Sequence, residues 1–208
     1  MTVFASRRLL AALPPFALVA GAHAQVFIQN GSFEAGTATT IDNWTVTPTA
    51  APGNVADYAG AGTSVYGSRF LALNPGATAA IGSATSDFGT AATGVSYVVT
   101  FVYGQFGGNV GDQILNVRIS DASTPIRGDV ITNIVPSTSF GTIWRQGSFT
   151  FTGTGLPTSV TFSDAGSLGF LGSDLFVDNV QVAPVPEPAT LAALGLGAAA
   201  LLRRRRRA

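Results

Sequence analysis

Between its two ends the chain consists of short runs in which apolar and polar residues alternate, separated by Gly, Pro, Asn and Asp. Residues 113–120, 147–152 and 158–163 each place apolar side chains at every second position. A period of two directs one side of a strand to the core and the other to water. No segment in this part has the period of a helix. The pattern predicts an all-β fold, an antiparallel jelly-roll β-sandwich of about nine or ten strands.

One further run, residues 96–103, is apolar on both faces and is expected at the centre of a sheet. Together these strands predict a single domain over residues 25–183, long enough to bury a core without disulfides. Additional strands are predicted at residues 26–28, 44–47, 69–73, 77–81, 126–133 and 175–182.

The first 24 residues have the organisation of a secretory signal peptide. Arg7 and Arg8 form a positive start, an apolar stretch follows at 9–22, and an A-H-A sequence ends just before Gln25. This order predicts cleavage before Gln25 and export of the rest of the chain. An uncleaved anchor is the alternative, and two prolines that interrupt the apolar stretch argue against it.

The predicted domain, residues 25–183, contains no His, Cys or Lys. This excludes a histidine-dependent serine triad, a cysteine nucleophile, a Schiff-base lysine and the usual zinc sites. The domain has four arginines and ten acidic residues, a net charge of −6. Nucleic acid is therefore not expected as a partner, whereas a divalent cation suits this charge. Paired carboxylates would still allow glycoside hydrolysis.

The tail, residues 184–208, combines three features in a fixed order. Pro186, Glu187 and Pro188 come first, an uncharged apolar run follows at 189–202, and an arginine cluster comes next. At about 1.5 Å per residue the run reaches roughly 21 Å, less than a hydrocarbon core of about 30 Å. An arginine block normally stays on the cytoplasmic side of a membrane. We therefore predict a transmembrane helix over about 189–202, stopped by Arg203, Arg204, Arg205, Arg206 and Arg207. The alternative is a disordered basic tail that contacts nucleic acid.

The sequence V-P-E-P-A-T-L, followed by a Gly/Ala/Leu segment and an arginine cluster, resembles the PEP-CTERM sorting signal. In that family the tail is a substrate of exosortase, a membrane-embedded cysteine protease-transpeptidase. The resemblance covers residues 184–208 alone. It implies transient anchoring in the inner membrane, processing near Pro186-Glu187-Pro188, and delivery to the cell surface or extracellular matrix.

Two carboxylates in the predicted domain call for a binding partner. Asp178 is predicted on the same side of its strand as Phe176, Val180 and Val182, where a carboxylate needs pairing, hydrogen bonds or a metal. Glu34 lies near the first strand, and first and last strands commonly lie together in such sandwiches. Two carboxylates with loop carbonyls suit Ca²⁺, which takes about six to eight oxygens. Alternatively, Glu34 is a surface residue and Asp178 accepts backbone hydrogen bonds.

These residues belong to a series of short motifs that resembles the galactose-binding-like jelly rolls of exported "choice-of-anchor" bacterial proteins and of plant cell-wall proteins. Related carbohydrate-binding modules often hold a structural calcium between a Glu in the first motif and an Asp in the last strand. The resemblance thus implies Glu34 and Asp178 as calcium ligands and leaves the others unassigned. The motifs are N-G-S-F-E at 30–34, Trp44, V-A-D-Y at 55–58, G-S-R-F-L-A-L at 67–73, G-V-S-Y-V-V-T-F at 94–101 and F-V-D-N-V-Q-V at 176–182.

Sugar binding requires exposed aromatic faces with polar groups beside them. The candidates are Tyr58, Tyr66, Tyr103 and Trp144, with core packing as the alternative role for each. Trp44 is expected in the core.

The exported part is therefore expected to be a non-catalytic surface or matrix protein that binds extracellular polysaccharide. One alternative is a purely structural or adhesive protein without a sugar site. The other is a glycosidase, which would need two carboxylates about 5 to 10 Å apart. Its candidate acids are Asp57, Asp112, Asp121, Asp129 and Asp164.

Overall fold

The computed structural model describes residues 28–47, 50–54, 66–73, 82–106, 114–122, 124–132, 144–165, 174–186, 194–198, 200 and 203. Within these residues the chain forms ten strands. They are β1 (Thr45–Val46), β2 (Ala50–Asn54), β3 (Arg69–Leu73), β4 (Ser83–Thr90), β5 (Ser96–Phe106), β6 (Leu115–Asp121), β7 (Thr124–Ile131), β8 (Arg145–Thr152), β9 (Pro157–Asp164) and β10 (Asp174–Pro184). The order β1-β4-β9-β6-β7 forms the first sheet, and the order β2-β3-β10-β5-β8 forms the second. All pairs are antiparallel, so the predicted β-sandwich is confirmed.

Strand β9 illustrates how the alternation of the sequence builds the first sheet. Phe162 is fully buried and lies opposite Ala84 of β4 and Val117 of β6. Thr161 and Ser163 point the other way and are only half-buried. Apolar side chains at alternate positions therefore cover the core, and hydroxyl groups cover the outer face of this sheet.

The main core lies between the two sheets and is rich in aromatic rings. Phe101 of β5 meets Phe162 of β9 edge-to-face, with ring centroids 5.2 Å apart. Gly147 of β8 lies opposite Phe101, and a Cβ atom at Gly147 would stand 2.5 Å from the Phe101 ring. This position of β8 therefore requires glycine because the aromatic ring occupies the space of a side chain.

Two strands were not predicted from the sequence. β2 runs through Ala50–Asn54, and β4 occupies Ser83–Thr90, just after the stretch 77–81 that was predicted as a strand. Residues 77–81 lie outside the described part of the chain, as do residues 26 and 27 of the predicted first strand. Ile28 is described and does not belong to a strand.

The prediction that Asp178 shares one side of β10 with Phe176, Val180 and Val182 is wrong. The pairing of β10 with β5 changes register between Asp178 and Gln181, and Asn179 has a φ of +49°. This bulge reverses the alternation of the strand. Val180 and Val182 therefore pack in the main core, whereas Phe176 packs in a second cluster on the other side of the sheet.

The tail contains helical residues at 194–198, 200 and 203. Within the described residues no helix is long and apolar enough to cross a membrane. Part of the predicted span at 189–202 lies outside the described residues, as do Glu187, Pro188, Arg204–Arg207 and the predicted signal peptide.

Candidate functional site

The outer face of the first sheet carries a groove of about 390 Å³, here called the outer groove. The strand register places Thr161 of β9, Arg118 of β6 and Gly128 of β7 side by side in one row. Ser163 and Asn116 lie opposite each other in the adjacent row. Three strands thus contribute polar groups to one continuous surface. The lining residues are Ser83, Asn116, Val117, Arg118, Gly128, Asp129, Val130, Thr161 and Ser163.

The outer groove presents hydroxyl, amide and guanidinium groups to solvent. Thr161 Oγ1 lies 2.9 Å from Thr85 Oγ1, and this hydrogen bond orders the hydroxyl group. Arg118 is exposed, and its planar guanidinium has several N–H donors in a fixed fork. Asp129 Oδ1 accepts a hydrogen bond from the backbone N–H of Val130 at 3.0 Å. The groove is therefore equipped to bind a molecule rich in hydroxyl or carboxylate groups.

Gly128 keeps the outer groove open beside Arg118. A Cβ atom added there would meet only the Val117 carbonyl oxygen within 4 Å, at 3.9 Å. The absence of a side chain at Gly128 leaves the space next to the guanidinium accessible. Val130, which is 58% exposed, supplies an apolar contact at the edge strand.

The aromatic candidates that belong to the described residues, Tyr66, Tyr103 and Trp144, do not converge on one surface. Tyr66 is partly exposed in the turn before β3. Tyr103 is paired with Val177 and packs against the main core, with its ring centroid 6.1 Å from that of Phe101. Trp144 packs instead against the second cluster. Tyr58 lies outside the described residues, and a sugar-binding role for these four residues stays a prediction.

Trp44 occupies the core, as predicted. It is 7% exposed, and its ring centroid lies 4.8 Å from that of Phe33. Its indole Nε1–H donates to the Asn30 carbonyl at 3.1 Å. Asn30 also donates through its side-chain amide to the carbonyls of Ala35 and Asp42, both at 2.9 Å. The N-G-S-F-E motif therefore anchors the loop that leads into β1.

Glu34 bonds to the turn that precedes β3. Its Oε1 accepts the backbone N–H groups of Ser68 at 2.8 Å and Arg69 at 2.7 Å. Its Oε2 accepts the Ser68 hydroxyl at 2.9 Å. Gly67 has a φ of +138°, and a Cβ atom there would stand 2.2 Å from Glu34 Oε1. Glycine is required at this position both for the backbone conformation and for the close approach of the carboxylate.

Asp178, the other predicted calcium ligand, is fully buried. Its Oδ1 accepts the backbone N–H of Asn179 at 2.6 Å, at the bulge of β10. One residue further on, Val180 N–H donates to the Gly31 carbonyl at 2.8 Å. The segment around Gly31 therefore lies against β10, the last strand. The start and the end of the domain lie together in this way, as expected from the sequence.

The oxygens around Glu34 do not fit the calcium site that the resemblance implies. Both carboxylate oxygens of Glu34 already accept hydrogen bonds, and Arg69 donates from its guanidinium to nearby loop carbonyls. The described residues also contain no group of three or more acidic side chains that would hold a metal ion.

The described candidate acids for a glycosidase lie far apart. Asp121 is paired with Thr158 at one end of β9, whereas Asp164 is at the other end. Six residues of strand separate these positions, roughly 20 Å at about 3.3 Å per residue. Asp129 is paired with Val117, about 13 Å along β6 from Asp121. Asp129 and Asp164 are closer, two residues along the strands and two strands apart, with about 12 Å between their Cα positions. All three spacings exceed the separation of about 5 to 10 Å that a carboxylate pair needs. Asp57 and Asp112 lie outside the described residues.

Sequence reasoning missed the outer groove and the role of Arg69. The signal for the groove was the set of polar residues that alternate with the core positions, Arg118 among them. Arg69 contacts residues about thirty positions earlier in the chain. No local sequence pattern reports such a contact.

Residues 184–207 match the family of the PEP-CTERM protein-sorting motif. This match supports export and processing by exosortase, as the sequence predicted. It does not extend to the sandwich, for which the "choice-of-anchor" type stays a prediction. No curated protein sequence matches the chain.

Solved structures support the sandwich fold. A cyclase from Fischerella sp. TAU is 15% identical, with 78% of this chain and 98% of that chain covered and a TM-score of 0.55. TmCBM61 in complex with β-1,4-galactotriose is 14% identical, with 78% and 100% covered and a TM-score of 0.52. The arabinose-bound MgGH51 α-L-arabinofuranosidase is 15% identical, with 78% and 26% covered and a TM-score of 0.54. At these identities the similarity shows the fold alone.

Proposed function

We propose that this chain is an exported, exosortase-processed protein of the cell surface or extracellular matrix whose sandwich binds polysaccharide without catalysis. The sorting motif at 184–207 supports the route to the surface, including transient anchoring in the inner membrane. The observation that carries the binding function is the outer groove, a concave region of about 390 Å³ on one sheet whose lining includes Asn116, Arg118 and Thr161. TmCBM61, which shares the fold, was solved in complex with β-1,4-galactotriose.

The groups of the outer groove match the chemistry of a polysaccharide. Sugar hydroxyls both donate and accept hydrogen bonds, and the Thr161, Ser163 and Asn116 side chains do the same. Arg118 adds a fork that binds two oxygens at once and that pairs best with a carboxylate. We therefore propose a glycan with acidic groups as the preferred ligand. A groove on a sheet face also leaves room for a chain to continue beyond the bound units.

Non-catalytic binding agrees with the placement of the acids. Among the described candidates for a glycosidase, Asp121 lies roughly 13 Å or more along the strands from the other two. Asp129 and Asp164 are two strands apart, with about 12 Å between their Cα positions. In the outer groove itself, Asp129 is the acidic lining residue, and its Oδ1 is held by the Val130 backbone. Among the described residues that line the groove, Asp129 is thus a single carboxylate without a second one facing it across a scissile bond.

Affinity electrophoresis tests the binding function directly. The mature protein is run through gels that contain polygalacturonate, neutral β-1,4-galactan or no polysaccharide. We expect retardation by polygalacturonate, and a loss of roughly 10- to 100-fold in affinity for Arg118→Gln, because a hydrogen bond to a charged group contributes about 1.5–3 kcal/mol. Arg145→Gln, an exposed arginine of the second sheet, is the matched control and should bind normally. Equal mobility in all gels would reject polysaccharide binding.

A purely structural or adhesive role is the second candidate. The dispersal of Tyr103 and Trp144 over opposite sides of the second sheet favours it, because sugar sites usually gather aromatic faces. Retention of an Arg118 variant in the matrix distinguishes the structural role from polysaccharide binding. A structural protein remains in the matrix when Arg118 is replaced, whereas a polysaccharide-bound protein is released by that change.

The sorting route is tested by mass spectrometry of the protein recovered from the surface. We expect a mature N-terminus at Gln25 and a C-terminus near Pro186. In a strain without exosortase, a longer, membrane-associated form should accumulate. Recovery of the complete tail on the surface protein of the parent strain would contradict the proposal.

A further inference from the structure

Arg69 holds together a loop that is distant from it in the sequence. Its Nη2 donates to the Thr37 carbonyl at 2.6 Å and to the Thr40 carbonyl at 3.2 Å. Its Nη1 donates to the Glu34 carbonyl at 3.3 Å. One guanidinium therefore binds three backbone oxygens that converge from a loop of seven residues, 34–40. We call this group of contacts the arginine clasp.

The turn that contains Arg69 also donates hydrogen bonds to the neighbouring carboxylate of Glu34. Glu34 accepts three hydrogen bonds from Ser68 and Arg69, two from backbone N–H groups and one from a hydroxyl. The side chain of Arg69 reaches the loop carbonyls while its own N–H binds the loop carboxylate. The clasp thus satisfies an acid and three carbonyls with donors from one short turn.

A divalent metal would require the same kind of oxygens. Calcium binds about six to eight carboxylate and carbonyl oxygens. At the clasp these oxygens face a guanidinium, which is always protonated in proteins. A calcium ion that bound the same carbonyls would lie close to this positive charge and would be repelled by it. The clasp and a metal at this place therefore exclude each other.

We propose that the Arg69 guanidinium is the resident cation of this loop and takes the place of a structural metal ion. The side chain gathers the carbonyls of Glu34, Thr37 and Thr40, as a metal ion would, and requires no ion from the medium. The sandwich consequently keeps its first loop in place under calcium-poor conditions. This inference does not depend on polysaccharide binding.

Melting temperatures in chelator and in calcium test the proposal. Calcium at a hundredfold excess over its dissociation constant would raise the melting temperature of a chain of this length by about 5–10 °C. We expect the full-length wild-type protein to melt at the same temperature, within about 1 °C, in chelator and in millimolar calcium. A calcium-dependent rise of the larger size that disappears in Glu34→Gln would overturn the proposal.

Variants of Arg69 test whether the guanidinium holds the loop. Arg69→Gln should lower the melting temperature by roughly 3–8 °C. Arg69→Lys should lower it less, because lysine keeps the charge but loses the fork. The matched control is Arg145→Gln, at an exposed position of β8, and should change it by about 1 °C or less. Equal melting temperatures for wild type and Arg69→Gln would also overturn the proposal.

Trp44 provides a local readout that separates the loop from the rest of the fold. Its indole donates to Asn30 and its ring packs on Phe33, so its emission reports the position of the loop. In a Trp144→Phe background, we expect Trp44 emission to shift in Arg69→Gln and to be unaffected by calcium in the wild type. A calcium-induced shift in the wild type would count against the clasp as the resident cation. Arg69→Lys gives the same readout if Arg69→Gln does not fold.

Discussion

The two sheets of the sandwich differ in how far their outer faces are exposed to solvent. The first sheet exposes Thr161, Ser163 and Arg118, which line an open groove. The second sheet buries Phe70 and Phe176 completely on the side away from the main core. The first sheet therefore has a wet outer face that is accessible to a ligand, whereas the second sheet buries part of its outer face around Phe70 and Phe176 and stays exposed along β8.

Trp144 covers part of the buried outer face. Its ring centroid lies 5.8 Å from that of Phe70 and 6.2 Å from that of Phe176, and the two phenylalanines are 4.4 Å apart. Aromatic contacts of this kind add to the free energy gained by burying the rings. The second cluster thus adds to the stability of the sandwich, whereas the polar outer face of the first sheet lies open to solvent.

The largest effect is expected from Phe176→Ala in the second cluster. Truncating a buried phenylalanine removes its transfer free energy and leaves a cavity, which together cost about 3–5 kcal/mol. Urea unfolding of the full-length protein measures the loss, and Phe176→Leu should lose clearly less. An effect below about 1 kcal/mol would mean that the outer face of the second sheet is not a true core.

Gly147→Ala is the next largest change. Its Cβ atom would stand 2.5 Å from the Phe101 ring, so we expect a loss of about 1–3 kcal/mol from overpacking. Gly128→Ala is the matched change in the first sheet, where the nearest atom is 3.9 Å away. It should leave the free energy of unfolding nearly unchanged while reducing polysaccharide affinity. If the two alanine substitutions destabilised the protein equally, the difference in packing between the two sheets would be contradicted.

Gln105→Met should stabilise the protein. Gln105 of β5 is fully buried opposite Leu175, and neither its Nε2 nor its Oε1 has a hydrogen-bond partner within the described residues. An unsatisfied buried amide costs about 1–3 kcal/mol, so an apolar side chain of similar size should raise the melting temperature. Gln146→Met, at an exposed position of β8, is the control and should have little effect. A lower melting temperature for Gln105→Met would show that the amide is satisfied in solution.

The smallest effect on stability is expected from Ser163→Ala in the outer groove. Its side chain faces solvent beside Asn116, so the free energy of unfolding should change by less than about 0.5 kcal/mol. The affinity for polysaccharide should fall nevertheless, because a hydrogen-bonding group is lost from the groove. A change in stability as large as that of Gly147→Ala would contradict the assignment of this face to binding.

The sequence predicted the inward and outward faces of the first sheet largely correctly, and those of the second sheet less well. Val117 and Phe162 belong to alternating runs because their strands have one wet face, and the period of two is then visible. In β10 both faces are buried, so the sequence does not show that Asn179 introduces a bulge. After the bulge, the Val180 N–H donates to the Gly31 carbonyl, a residue about 150 positions earlier in the chain, and no local pattern reports such a contact.

In the candidate site, too, the sequence indicated which residues matter but did not indicate their distant contacts. The calcium hypothesis singled out Glu34 as a metal ligand, and the partners that its carboxylate has in the structure are N–H and O–H donors from Ser68 and Arg69. The donors that a carboxylate binds depend on the turn that packs against it. That turn is brought to Glu34 by the pairing of β3 with β10, which local patterns do not report.

β10 sits between β3 and β5 and ends at Pro184, the first residue of the sorting motif. Val185 is still tied to the sheet, since its N–H donates to the Ser96 carbonyl at 2.8 Å. The strand on which the second sheet is centred is therefore synthesised and exported last, immediately ahead of the tail. Under the proposed cleavage near Pro186, the protease would cut next to a residue whose backbone is still hydrogen-bonded into the sheet. Completion of the second sheet by β10 and access to the cut site would then involve the same few residues.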